Sequence, residues 1–185
     1  MRLPWICRLA PVIAALAAAP LASAQPADDI IYRVRYANNG DTMVAVDLRW
    51  TPALATPQSL VMPRAIPMGY GEQRYDAFVK DVMAFAEAGA GRPAAREEGP
   101  RWHLAAGTTR VTYQVDLRAL EQTVRSASDQ SRVRDGYLGA LGYSLFAFVD
   151  GFEARPVRLR VEGPAGWPVF ATLAPRWPVA AGVLD

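Results

Sequence analysis

Thiols, imidazoles and lysines are nearly missing from this 185-residue sequence, which has one cysteine, Cys7, one histidine, His103, and, among its 20 basic residues, one lysine, Lys80. A catalytic zinc ion takes three protein ligands and leaves a fourth position open. One imidazole falls short of that, and no H-E-x-x-H spacing occurs. A serine hydrolase would have to recruit the same histidine, and no G-x-S-x-G elbow is present to expose a serine. The glycines of Ala88-Gly89-Ala90-Gly91-Arg92 are not followed by Gly-Lys-Ser/Thr, so they read as a hairpin turn rather than a phosphate cradle. Paired carboxylates remain at Asp28-Asp29 and Glu97-Glu98. Both pairs lie in polar connections, where nothing raises a carboxyl pKa for acid catalysis. His103, inside Arg101-Trp102-His103-Leu104, reads as a strand histidine without catalytic duty.

The formal charge of +2 is equally uninformative about partners. Its excess comes from Arg2 and Arg8, in a leading segment that has the three parts of a secretory signal peptide: a basic start, an apolar stretch from Leu9 to Leu21, and small Ala22 and Ala24 before Gln25. That apolar stretch is 13 residues long and broken by Pro11 and Pro20, whereas a membrane-spanning helix needs about 20. Residues 1–24 are therefore expected to be cleaved, taking Cys7 with them and leaving an exported chain, periplasmic or extracellular, with no disulfide and no membrane span. The remainder carries 18 basic and 18 acidic side chains, so bulk charge offers nothing to nucleic acid. At about 160 residues it is long enough to hold together by core burial.

From Ile30 onward the sequence reads as strands. Tyr32, Val34 and Tyr36 alternate with Arg33 and Arg35, and Val44, Val46, Leu48 and Trp50 alternate with Ala45, Asp47 and Arg49, with Asn38-Asn39-Gly40-Asp41 as the turn between them. Alternation returns in Val111, Tyr113, Val115 and Leu117, in Leu145 to Val149, and in Val157, Leu159 and Val161 with Arg158 and Arg160 turned outward. Gly and Pro clusters punctuate these runs. The fold class expected is all-β, mainly an antiparallel sandwich, with one or two short helices. Tyr75, Phe78, Val79, Val82 and Ala86 fit a helical spacing, but a turn followed by a strand is preferred there. Residues 118–135 are expected to form a surface loop with a short helix, anchored by Leu120, Val124 and Val133.

One connector is more specified than a connector needs to be: Pro63-Arg64-Ala65-Ile66-Pro67-Met68-Gly69-Tyr70-Gly71-Glu72-Gln73-Arg74-Tyr75-Asp76-Ala77-Phe78-Val79. It resembles the P-x-x-x-P-G-x-Y-x-x-x-D-F segment in the N-terminal domain of the glycyl aminopeptidases, the PDZ-containing zinc metallopeptidases of family sixty-one. Trp102, the Thr109–Leu117 run, Gly142 to Val149, Val161 to Val169 with its Gly-Trp, and Ala171-Thr172-Leu173 resemble later motifs of that domain in the same order. The likeness covers about residues 30–175. Ile66 stands where the family has tryptophan, and Met68 separates Pro67 from Gly69.

The resemblance implies a saddle-like β-domain related to the amino-terminal domain of the aminopeptidase N group, spanning residues 25–175, with 176–185 a tail or the start of a linker. In the family a thermolysin-like zinc domain and a PDZ domain follow. The zinc ligands and catalytic glutamate belong to that zinc domain, so no cofactor is expected in this chain, and the partner implied is a catalytic domain in cis. The loop implied to face substrate or partner carries Tyr70, Glu72, Gln73, Arg74 and Asp76. Glu72 or Asp76 would pair with a substrate's α-ammonium group and Tyr70 would line the pocket. The plainer alternative is that Pro67, Gly69 and Gly71 shape a turn, Tyr75 and Phe78 enter the core, and the charges are solvated. A free-standing exported module that binds peptide or carbohydrate is the second reading of the whole chain. Trp50, Trp102 and Trp167 are expected in the core unless exposed to bind a ligand face.

Overall fold

A computed structural model describes residues 29–40, 42–65, 72–124 and 131–173, together with the backbone of 183–184. The first alternating run is β1 (Ile30–Arg35), with Tyr32 and Val34 buried and Arg33 and Arg35 exposed. It turns through Asn38 and Gly40, both at positive φ, into β2 (Met43–Arg49), whose Val44, Val46 and Leu48 are inaccessible or nearly so. After β3 (Gln58–Val61) comes a single 3-10 turn, Tyr75–Phe78, which leads into β4 (Val79–Ala86). The turn-then-strand reading holds because Asp81 sits at φ +54° in a bulge on β4, where a continuous helix would break. Then follow β5 (Arg92–Pro93), β6 (Arg101–Leu104), β7 (Thr108–Asp116), α1 (Leu117–Thr123), β8 (Arg132–Arg134), β9 (Tyr137–Gly139), α2 (Gly142–Leu145), β10 (Phe148–Val149), β11 (Val157–Glu162) and β12 (Val183–Leu184).

Seven of these strands form one sheet in the order β12-β11-β1-β2-β7-β4-β5, three form a second in the order β10-β3-β6, and β8-β9 is a hairpin. Leu60, Trp102, Leu104 and Val149 of the second sheet share one core with Tyr32, Val46, Val111 and Tyr113 of the first. The chain is all-β with short helices, and the pairing is antiparallel except between β1 and β11, which run parallel. Trp50 and Trp102 are core residues, and half-buried Trp167 packs on Tyr36 with ring centroids 6.0 Å apart.

Three local expectations are corrected. Leu117 starts α1 rather than ending a strand, because the Asp116 carboxylate accepts the Ala119 amide at 3.0 Å and caps the helix. Leu120, Val124 and Val133 are the buried anchors around that helix. Leu145 to Val149 is a strand only at Phe148–Val149, since Leu145 closes a helical turn and the carbonyls of Leu145 and Ala147 accept from the phenols of Tyr113 and Tyr32 instead of from a ladder. In β11 the alternation is blunted: Arg158 and Arg160 are only half-exposed, and Val157 is 51% exposed because it lies at the sheet margin. Val183–Leu184, within the expected tail, pair with Val161 and Glu162 of β11.

Candidate functional site

Met62, fully buried, directly follows β3 and holds the start of the singled-out connector against the core. Two residues later the Arg64 carbonyl accepts the Gln73 amide at 2.7 Å, so the two ends of the connector meet there. The Arg64 side chain reinforces that closure. Its Nε and Nη2 donate to Oδ1 and Oδ2 of Asp76 at 2.7 and 3.0 Å, a two-pronged pair, and its Nη1 reaches Glu72 Oε1 at 3.3 Å.

Asp76 lies within the 3-10 turn, and its side chain is wholly inaccessible. A second guanidinium, that of Arg96, donates from Nη2 to Asp76 Oδ2, and its Nη1 donates to the Asp76 carbonyl at 3.3 Å. Arg96 in turn lies 4.2 Å over the Trp102 ring and donates to the Gly99 carbonyl at 3.2 Å. Burial pushes the Asp76 carboxyl up, but the hydrogen bonds and charge of Arg64, joined by Arg96, outweigh it and hold the group below the usual carboxylate range. The result is an Arg–Asp–Arg clamp joining the loop base, the 3-10 turn and the connection before β6. The neighbouring Tyr75 ring packs on Tyr143 at 5.5 Å and completes the platform.

The implied site residues therefore divide. Glu72 and Arg74 are exposed and Gln73 is half-buried at the loop base. Asp76 is neither solvated nor open to an incoming ammonium group, because both carboxylate oxygens are already taken by guanidinium groups. Tyr70, Pro67, Gly69 and Gly71 lie outside the described residues. Arg64 and Arg96 were not singled out in the sequence as site residues. The available signal was physical: an aspartate between Tyr75 and Phe78 in an apolar turn needs a cation if it is to be buried.

His103 lies on β6, exposed, with its Nδ1 3.3 Å from Glu97 Oε1. Ser59 Oγ donates to the other oxygen of Glu97 at 2.6 Å, so the serine is bonded to the carboxylate and not to the imidazole. The imidazole is therefore not placed to serve that hydroxyl as a base. Among the described residues no three His, Cys, Asp or Glu side chains converge as a metal site. An open hollow of about 620 Å³ lies between the Pro52–Gln58 and Gly151–Pro156 segments, with Phe152 and Arg155 on its wall.

Residues 31–180 match the peptidase M61 N-terminal domain. The chain belongs to that family. As a fold, this M61 domain is also similar to an aminopeptidase N family protein from Idiomarina loihiensis, at 24% identity and a TM-score of 0.57 over 73% of the present chain. The chain spans 22% of that protein's length. No curated protein matches it. The M61 assignment identifies the chain as a peptidase-associated N-terminal domain and places the clamped connector inside the matched region. None of the helices among its described residues is long and apolar enough to cross a membrane.

Proposed function

We propose that this chain is the non-catalytic N-terminal β-domain of an exported, glycyl-aminopeptidase-like zinc peptidase, and that its function is to pack on a catalytic domain in cis and shape the substrate cleft there. The observation that carries the reading is the Arg64–Asp76–Arg96 clamp. A turn that only connects β3 to β4 has no use for a buried carboxylate held by two guanidinium groups, whereas a wall presented to another domain must be held still. Glu72, Gln73 and Arg74, with Tyr70, are the side chains offered to substrate or partner. Phe170 at 87% exposure and Leu173 at 52%, beyond β11, supply apolar surface that suits domain packing.

Zinc belongs to the partner in this reading. The donor set of the described residues, an exposed histidine beside one glutamate, does not fit a catalytic zinc ion, so no chemical step is assigned to this chain. The second reading, an independent exported module for peptide or carbohydrate, is favoured only by the hollow beside Phe152 and Arg155.

The test is a mixing experiment with an M61 catalytic domain prepared without its own leading domain. The two should co-purify, and charge-reversal of Glu72 or Arg74 should change KM for glycine-terminated peptides more than it changes the melting temperature of this chain. Absence of any association would remove the reading. Export is checked separately: amino-terminal sequencing of secreted material should begin at Gln25, and an uncleaved Met1 would count against it.

A further inference from the structure

On the outer face of the large sheet, away from the core, the ladder sets polar side chains in rows. Arg33 of β1, Asp47 of β2 and Thr112 of β7 are register partners in one row, and Arg49 of β2 and Arg110 of β7 are partners in the next. All five alternate with buried residues (Tyr32 and Val34, Val46 and Leu48, Val111 and Tyr113), so the pleat turns them to one side. Within this group one carboxylate serves two guanidinium groups. Arg49 and Arg110 each donate from Nε and Nη2 to the two oxygens of Asp47, at 2.9 to 3.0 Å. Asp47 is thereby occupied, although the ladder places it directly opposite Arg33. Arg33 is exposed and has no hydrogen-bond or ion-pair partner among the described residues. Its register partner on the other side is a second cation, Arg160, which is bonded to Glu162. Arg33, Arg49 and Arg110 therefore share the single carboxylate of Asp47, and three positive charges against one negative leave the group at +2.

The way Asp47 is held leaves donors over. A guanidinium carries five N–H groups in a rigid fork. With Nε and Nη2 given to Asp47, Nη1 of Arg49 and Nη1 of Arg110 have no hydrogen-bond partner among the described residues, so each keeps one edge unused while the other is fixed. Arg110 has a second support in the Phe85 ring, whose centroid lies 4.6 Å from Cζ. The carboxylate also sits lower than its partners. Its side chain is 21% exposed, against 43% for Arg49 and 35% for Arg110, so the cations meet solvent first. Asp47 thus positions two guanidinium groups without neutralising both. Half-buried Thr112, next to Asp47 in the row, adds a hydroxyl that also lacks a side-chain partner among the described residues. Like charges set on neighbouring strands cost stability, and an anion lying across them removes that cost.

We propose that Arg33, Arg49 and Arg110 form a binding site for a phosphate monoester on the outer face of the large sheet. Charge selects the ligand. A phosphate monoester carries about −1.5 to −2 at neutral pH and presents three acceptor oxygens, which suits a group of three guanidinium forks at +2. A carboxylate or a phosphodiester brings one negative charge and leaves the group cationic. The same chemistry is offered by a soluble phosphate ester and by the headgroup of phosphatidic acid.

The test is isothermal titration calorimetry of the purified full chain with glycerol phosphate, inorganic phosphate and acetate. Both phosphates should bind about tenfold tighter than acetate and weaken with added salt. Arg33→Ala should lower phosphate affinity about tenfold, the loss of one charge-assisted contact, at an unchanged melting temperature. Arg35→Ala, on the same strand but outside the group, should leave the affinity as it is. In nuclear magnetic resonance spectra the guanidinium signals of Arg33, Arg49 and Arg110 should shift together on adding phosphate, a readout that needs no variant. Sedimentation with phosphatidylcholine vesicles containing phosphatidic acid or phosphatidylglycerol separates the two sources. Preference for phosphatidic acid assigns the site to a lipid headgroup, and glycerol phosphate binding without vesicle recruitment assigns it to a soluble ester; either supports the proposal. Phosphate no tighter than acetate, an unchanged affinity in Arg33→Ala, an equal loss in Arg35→Ala, shifts confined to other arginines, or equal recruitment to phosphatidylglycerol vesicles would each overturn it.

Discussion

The phenol oxygen of Tyr113 accepts the Ala147 amide at 2.9 Å and donates to the Leu145 carbonyl at 2.9 Å, so one buried side chain of β7 serves two backbone groups of a segment that has no ladder of its own. Tyr32 adds a third bond, to the Ala147 carbonyl at 2.8 Å. Together these phenols tie the connection between α2 and β10 to the large sheet.

Tyr113→Phe leaves a buried donor and a buried acceptor unsatisfied and should cost roughly 2–3 kcal/mol, whereas Tyr32→Phe leaves one acceptor and should cost about 1 kcal/mol. Chemical denaturation of the two variants measures the difference. Equal costs would mean that the segment is held by packing alone.

The same pair sets the alkaline limit. Burial pushes both phenols above their ordinary value of 10.0, with the neighbouring Tyr32 adding to the effect on Tyr113. Above that value the unfolded chain sheds these protons and the folded chain retains them, so stability that is complete at neutral pH should fall as pH rises past about 10. Melting temperatures between neutral and strongly alkaline pH check this, and Tyr113→Phe should flatten the fall.

Acid acts on the clamp. Burial raises the Asp76 carboxyl, but Arg64 and Arg96 more than compensate, so its folded pKa lies below the ordinary 3.8. The unfolded chain then binds more protons between the two values. The clamp's contribution is complete above about pH 4 and is lost as pH drops through the folded value. Asp76→Asn should cost roughly 3 kcal/mol at neutral pH, because it strands guanidinium groups around a buried neutral amide, and it should remove part of the acid sensitivity. Asp47 and Asp116 are lowered too, burial being outweighed by Arg49 and Arg110 in one case and by the Ala119 amide and Lys80 in the other, so some acid sensitivity should persist.

At Gly91 a Cβ would sit 2.4 Å from the Phe85 ring, which lies 4.6 Å beneath the Arg110 guanidinium. Gly91→Ala should lower stability by about 1–2 kcal/mol through overpacking. An unchanged melting temperature would show that the Phe85 ring swings aside freely.

Period-two alternation made β1, β2 and β7 legible, because both the burial of Val44, Val46 and Leu48 and the exposure of Arg33 are consequences of the pleat. It failed at Leu145–Val149, where the deciding bonds come from tyrosines more than thirty residues away along the chain for Tyr113 and more than a hundred for Tyr32. The parallel partnership of β1 with β11 was equally invisible, since alternation carries no information about strand direction. Within the connector, the motif drew attention to Asp76 but not to its burial. That depends on Arg96, which reaches the turn from a different segment and is held there by Trp102.

The most direct measurement is the hydrolysis of a glycine-terminated peptide, with zinc present, by the purified chain alone and by an equimolar mixture with an M61 zinc domain stripped of its leading domain. The account predicts no turnover by the chain alone and a rate for the mixture above that of the zinc domain by itself, with Asp76→Asn abolishing the gain. Chelator-sensitive turnover by the chain alone, or a mixture no faster than the zinc domain, would contradict it.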